Sequence, residues 1–229
     1  MTRGERGKFN AIIFDFDGVI ADSEVLLNQA LADGLTTVGL PTTLEDSLRD
    51  YCGKRWGDIL QLVEARLGHD LPASFIGEQI ERLGHKVMMA VKPVAGVTPF
   101  LEMTREMPRA IASSGEPLWI KPTLSRFGIA EHFGDHVYST IKLRHGKPHP
   151  EVYLKAASAL GVDPAQIVAI EDSADGVAAA VAAAVAAGMT AIGLTAASHI
   201  QADDAERLRA AGAHAIAEDY EDVADFSGL

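Results

Sequence analysis

The sequence predicts an α/β fold, a mostly parallel sheet flanked by helices with an all-helical segment inserted early. Three observations carry this. From Pro93 onward, short apolar runs alternate with helical stretches, the order that builds right-handed βαβ units. Residues 24–92 show helical spacing and little strand signal. The run Ala11-Ile12-Ile13-Phe14 is apolar at every position, as in a strand buried on both faces.

In chain order, the first strand runs into Asp15-Phe16-Asp17-Gly18. In an extended chain residues i and i+2 point the same way, so both carboxylates reach the mouth of one site. Gly18 lets the chain turn sharply afterwards. Asp22-Ser23-Glu24 offers a helix N-cap, with Ser23 or Asp22 as the capping residue. Leu26, Leu27, Ala30, Leu31 and Leu35 recur at helical spacing, as do Ile59, Leu60, Leu62, Val63 and Leu67, before a stop at Gly68. A third helix is expected from about Pro72 to Ala90. The insert is entered near Ser23 and left near Lys92-Pro93. This divides the chain into a core of residues 1–22 and 93–229 and a helical unit of residues 23–92.

Beyond the insert, a helix is expected over Val97–Glu106 and a strand over Arg109–Ala112, ending in Ser113-Ser114-Gly115. Glu116–Phe127 reads as a helix, with Pro117 and Pro122 near its start. A strand near His136–Ser139 leads to Arg144-His145-Gly146-Lys147-Pro148. A helix over Glu151–Leu160 and a strand over Ile167–Ile170 follow, and the strand ends in Glu171-Asp172-Ser173. A helix to about Ala187, a strand over Met189–Leu194, a helix over 201–211 and a short strand over His214–Ile216 complete the pattern.

With 229 residues, 48% of them hydrophobic, the chain suits one large domain or a core with an insert. A formal charge of −12 without a basic stripe argues against nucleic acid as a partner. It leaves room for a small anion, because a local metal and a lysine can dominate a pocket. The single cysteine, Cys52, rules out an internal disulfide and fits a reducing, cytoplasmic setting; a small buried residue is the favoured role for it. No membrane partner is expected, since the run Gly176–Gly188 is mostly alanine and too short to span. Met1–Lys8 lacks the apolar core of a signal peptide and reads as a frayed tail. The histidines show no His-x-x-x-His spacing on one helix, so no zinc site is expected; His145 and His149 read as loop residues flanking Lys147.

The chemistry is legible because polar residues recur at strand ends: Asp15 and Asp17, then Ser113, then the Lys147 loop, then Glu171 and Asp172. In a parallel sheet these ends share one edge, the edge where ligands bind. Paired carboxylates can share a hard cation such as Mg2+, or divide the work between nucleophile and proton carrier. Ser113 and backbone N–H groups suit phosphate oxygens, and Lys147 supplies a point charge. Glu171 and Asp172 add hard oxygens for Mg2+.

Asp15-Phe16-Asp17-Gly18-Val19, Ser113 after an apolar strand, Gly146-Lys147-Pro148-His149-Pro150-Glu151 and Glu171-Asp172-Ser173-Ala174-Asp175-Gly176 together resemble the haloacid dehalogenase-like hydrolase superfamily. The similarity lies with its helical-cap branch of phosphoglycolate phosphatases, sugar phosphatases and β-phosphoglucomutases, and runs from about Phe9 to Leu194. The resemblance implies a Rossmann-like core and an all-helical cap. It implies a Mg2+-dependent phosphatase acting on a small phosphorylated metabolite through an aspartyl-phosphate. Asp15 is then the nucleophile and Asp17 the acid and base, with Ser113 and Lys147 completing the catalytic set. Metal ligands would be Asp15, the Asp17 carbonyl and Asp172, with Glu171 binding directly or from just outside. Substrate contacts would come from Gly18 and Ser114, and from Lys54, Arg55 and Trp56 in the cap. No oligomeric state is implied.

The sequence departs from that pattern twice. Val177-Ala178-Ala179-Ala180 is followed by the near-copy Val181-Ala182-Ala183-Ala184, an apparent four-residue insertion. It either lengthens the helix away from the site or is absorbed as a bulge or an altered loop. Mutases carry a lysine shortly after the serine motif and an arginine in the cap. Glu116 and Trp56 occupy those positions here, with Lys54 or Arg55 as the available substitutes. A phosphatase is favoured; a mutase and a non-enzymatic phosphate-binding or signalling protein remain the alternatives.

Overall fold

The structure is a computed structural model that describes residues 9–72, 74, 75, 77, 78, 89–187 and 189–229. Six strands form one sheet in the order β3-β2-β1-β4-β5-β6, and every neighbouring pair is parallel. The strands are β1 (Ala11–Phe14), β2 (Arg109–Ser113), β3 (Val137–Ser139), β4 (Ile167–Glu171), β5 (Thr190–Leu194) and β6 (Ala215–Ala217). β1 lies in the middle, and the connection reverses direction on its two sides. Such a switch point opens a crevice at the carboxyl ends of the strands.

The two faces of the sheet are packed differently, and the alternation within each strand explains how. Ile12, Phe14, Ile111, Val168, Ile170 and Ile192 fill one face with large side chains. There Phe14 meets Phe100 and Phe133 edge-on, at ring separations of 6.1 and 5.7 Å. This face is covered by α4 (Val97–Met103), α5 (Pro117–Phe127) and α9 (Tyr220–Ser227). The opposite face carries Ala11, Ala110, Ala112, Ala169 and Ala191. Small residues there let α6 (Glu151–Leu160), α7 (Ala174–Ala187) and α8 (Asp204–Ala210) approach closely.

The helical segment holds α1 (Glu24–Thr37), α2 (Leu44–Tyr51) and α3 (Trp56–Leu67). They close on their own small core of Leu31, Leu35, Tyr51, Ile59, Val63, Leu71 and Phe75. Most of the helix expected over 72–90 falls outside the described residues. The chain enters and leaves this segment side by side: Val94 N–H donates to the Ile20 carbonyl and Asp22 N–H to the Lys92 carbonyl, each at 2.9 Å.

Several boundaries differ from the sequence pattern. α2 was not expected, although Thr43 and Asp46 form a reciprocal capping box in which each backbone N–H meets the other's side chain at 3.1 Å. α9 was also unexpected; Asp219 caps it by accepting the N–H groups of Glu221 and Asp222. Pro122 sits inside α5 rather than near its start. The carbonyl it leaves unbonded belongs to Leu118, which is 74% exposed, so water can take the missing donor's place. β4 extends one residue further than expected, so Glu171 closes the strand. The doubled alanine stretch forms one uninterrupted helix, α7, rather than a bulge. No helix among the described residues is long and apolar enough to cross a membrane.

Candidate active site

The loop after β1 curls back on itself. Gly18 N–H donates to the Ala21 carbonyl at 2.7 Å, and Ala21 N–H to the Phe16 carbonyl at 2.9 Å. Gly18 has φ +72° and presses against Asp172: a Cβ built on it would lie 1.7 Å from Asp172 Oδ2. Both the left-handed backbone and the closeness require glycine.

Lys147 is the electrostatic centre. Its side chain is 1% exposed, and Nζ lies 3.0 Å from Asp15 Oδ1 and 2.6 Å from Glu171 Oε1. Burial alone would lower the Lys147 pKa, but Asp15 and Glu171 outweigh it and raise it. The ammonium therefore stays charged. Asp15 Oδ1 also accepts the Phe16 N–H at 2.7 Å. Glu171 Oε1 accepts from Lys147 and from the Tyr153 hydroxyl, while Oε2 is 3.4 Å from Ser173 Oγ. Gly176 at the start of α7 leaves the space that Glu171 fills, since a Cβ there would fall 1.9 Å from Oε2. Both oxygens of Glu171 thus face protein groups, and its nearest task is to hold Lys147.

Asp17 accepts the Ser23 hydroxyl on Oδ1 at 2.5 Å. Ser23 precedes α1 without capping it through its side chain, because its hydroxyl is turned to Asp17. Asp22, the other capping candidate, accepts the N–H and hydroxyl of Ser198 at 3.0 and 2.8 Å. Burial, and then the Glu24 carboxylate, push the Asp17 carboxyl up to about 8. Asp15 is also raised, by burial against the pull of Lys147.

Asp15, Glu171 and Asp172 each place one carboxylate oxygen within 4.8 Å of the others, all three buried. Asp172 Oδ2 has no aligned hydrogen-bond donor among the described residues. A compact, buried set of hard oxygens fits a hard divalent cation such as Mg2+. Ser113 is fully buried and its Oγ accepts the Gly115 N–H at 2.9 Å, which shapes the turn beside Asp17. Ser114 Oγ is buried without a partner among the described residues and lines the adjoining pocket.

That pocket runs from Asp15 and Asp17 up to the helical segment, between Leu27, Tyr51, Trp56, Ile59 and Trp119. Glu24 and Asn28 are among its polar members: Asn28 Nδ2 donates to Glu24 Oε2 at 2.7 Å, and Asn28 Oδ1 accepts from Ser47 at 2.8 Å. Trp56 Nε1 is buried without a partner among the described residues. Lys54 and Arg55, both substrate candidates from the sequence, are already engaged. Lys54 Nζ pairs with Asp175 at 2.8 Å, and Arg55 forks onto Asp58 at 2.9 and 2.8 Å. Cys52 is partly buried, and burial together with Glu24 pushes its thiol well above the usual range, which leaves it a poor nucleophile.

Three residues at this site escaped the sequence reading: Tyr153, Glu24 and His199. His199 Nε2 lies 3.2 Å from Asp172 Oδ2, and the side chain is 5% exposed. Burial opposes its charge, but Asp172 prevails and lifts it to about 9. It follows β5 at the same sheet edge as the other site residues, so the strand-end rule extends to it.

A family profile described as haloacid dehalogenase-like hydrolase matches residues 9–184. Hexitol phosphatase B of Escherichia coli K12 is 34% identical over 178 residues, covering 75% of this chain and 79% of its own. The fructose-1-phosphate phosphatase YqaB of the same organism is 26% identical, over 76% and 92% of the two chains. Among solved structures, a haloacid dehalogenase-like protein of Agrobacterium tumefaciens superposes with a TM-score of 0.81 at 33% identity, covering 96% and 98%. A HAD family hydrolase of Deinococcus radiodurans, solved with bound phosphate and sodium, gives 0.75 at 30% identity, covering 97% and 96%.

Proposed function

This chain belongs to the haloacid dehalogenase-like hydrolase family and is a phosphatase, and from that premise we propose that it dephosphorylates small sugar or polyol monophosphates through an aspartyl-phosphate on Asp15. The observation that carries this is the meeting of Asp15, Lys147, Glu171 and Asp172 at one sheet edge. Asp15, the Asp17 carbonyl and Asp172 would hold Mg2+, with Glu171 beside them. When bound, the cation neutralises the clustered carboxylates and the charge of the phosphoryl group.

Asp15 attacks phosphorus while Lys147 orients its carboxylate and balances its charge. Asp17, raised to about 8, is protonated at neutral pH and gives that proton to the departing alkoxide. The resulting carboxylate then takes a proton from the water that hydrolyses the aspartyl-phosphate. Ser113 holds the turn beside Asp17, and the Ser114 hydroxyl, which lines the pocket, would meet a phosphate oxygen, while the Gly18 N–H is held by the Ala21 carbonyl and serves the turn. Residues 1–22 and 93–229 act as the catalytic core and 23–92 as a cap that excludes water and reads the leaving group.

The pocket's charges narrow the leaving group. Lys54 and Arg55 are ion-paired, and Glu24, raised to about 7 by burial and Asp172, offers an anion no partner. A neutral polyhydroxylated group suits the site, with its apolar face on Trp56 and Trp119 and its hydroxyls toward Glu24 and Asn28. A second phosphate or a carboxylate is disfavoured, which argues against the mutase reading. The small metabolite meets a reducing, cytoplasmic enzyme in this account.

The test is phosphate release across a panel of phosphomonoesters, with and without Mg2+. The expected order is hexitol and sugar monophosphates first, phosphoglycolate well behind and sugar bisphosphates last. β-Glucose 1-phosphate should yield phosphate and not glucose 6-phosphate. Failure to release phosphate from any phosphomonoester would overturn the proposal.

A further inference from the structure

The geometry points to a second metal site, formed by His145, His149 and Glu151 and suited to a borderline-soft divalent ion such as Zn2+. Each residue offers one ligand atom, and the three atoms lie within 4.8 Å of one another. The imidazoles of His145 and His149 stack with ring centroids 4.2 Å apart. His145 Nδ1 is 3.1 Å from Glu151 Oε2. Two ligands on one tetrahedral Zn2+, at bond lengths of roughly 2.0–2.1 Å, stand about 3.3 Å apart, so this pair already has the required separation.

The ligands are held by the chain around them. Glu151 opens α6, and its carboxylate accepts the N–H groups of Arg144 and His145 at 3.4 and 3.1 Å. Pro148 and Pro150 stiffen the intervening turn. His149 Nδ1 accepts only a long 3.3 Å contact from the Glu151 N–H, which coordination can replace. The spacing i, i+4, i+6 runs from a loop onto the first residue of α6, so a search for helical histidine pairs passes over it. The proposal runs against the sequence expectation of no zinc site.

The donor set separates this site from the buried carboxylates. Two nitrogens and one oxygen favour Zn2+, Ni2+ or Cu2+, whereas an all-oxygen set favours Mg2+. The His145 and Glu151 side chains are 45% and 32% exposed, so an ion can enter and keep water in its open position. Lys147 lies midway between the two histidines. An ion here therefore braces the loop that delivers the ammonium to Asp15 and Glu171.

Equilibrium dialysis of the full chain against Zn2+, with Mg2+ in excess, tests this. Wild type should retain a single equivalent of Zn2+. Substituting His145→Ala and His149→Ala together should weaken retention by at least about tenfold, since loss of even an outer-sphere partner costs 10–100-fold. Hydrogen exchange over residues 144–151 should slow on adding Zn2+ in wild type and not in the double variant. Equal Zn2+ retention by the two proteins, or none by wild type, would overturn the site. Neither result bears on the phosphatase reading, which phosphate release tests separately.

Discussion

Asp15→Asn is expected to abolish phosphate release, by roughly 10⁴-fold or more, the scale seen when a nucleophile is removed. The amide keeps the shape and can still accept the Phe16 N–H that now binds Oδ1. Lys147 keeps Glu171 at 2.6 Å, so no buried cation is orphaned. One repelling charge also leaves the neighbourhood of Asp172. The melting temperature should therefore stay within about 4 °C of wild type, the shift that 1 kcal/mol produces at this chain length. Phosphate release paired with a thermal melt checks both halves. Near-normal turnover in a folded variant removes Asp15 from the chemistry.

Lys147→Met should have the largest effect on stability. Removing one partner of a buried ion pair costs about 3–5 kcal/mol, because the remaining charge has no compensation. Here two carboxylates, Asp15 and Glu171, lose their shared cation. The loss should depend on pH. Burial raises Glu171 from 4.5 to about 8 even though Lys147 pulls it down. Between those values the folded chain holds more protons than the unfolded one, so stability rises as pH falls. Without Lys147, Asp15, now at about 6 against the pull of that cation, rises further, so the variant takes up this proton at higher pH than wild type. The gap between variant and wild type should narrow as pH drops from about 8 towards 5. Urea unfolding at several pH values measures this; a gap that widens on acidification contradicts the assigned pairing. Turnover should fall as well, since Asp15 loses the group that orients it.

Much of the fold was legible because its signals are local. An uninterrupted apolar run that stops at an acid, as at Phe14-Asp15 and Ile170-Glu171, marks both a buried strand and the edge where its polar residues gather. Helices with apolar spacing and a glycine stop, such as α3 with Gly68 at φ 75°, were equally readable. α2 is hard to read because its apolar stripe, Leu44, Leu48 and Tyr51 at i, i+4 and i+7, has only eight residues to show itself in, and its clearest mark is the Thr43 and Asp46 cap. Tyr153 and His199 acquire their meaning only from tertiary packing: one lies 18 residues from Glu171 and the other 27 from Asp172 along the chain. The pairing of Lys54 with Asp175, 121 residues away, is of the same kind. It turns an apparent substrate cation into a tie between the helical segment and α7.

The most direct test is to catch the covalent intermediate. Wild-type enzyme turning over a hexitol or sugar monophosphate with Mg2+ is quenched with borohydride, which reduces an acyl phosphate to the alcohol, and the peptides are read by mass spectrometry. The account predicts homoserine at position 15 in wild type and none without substrate. Steady turnover with an unmodified Asp15, or reduction at another carboxylate, would contradict it.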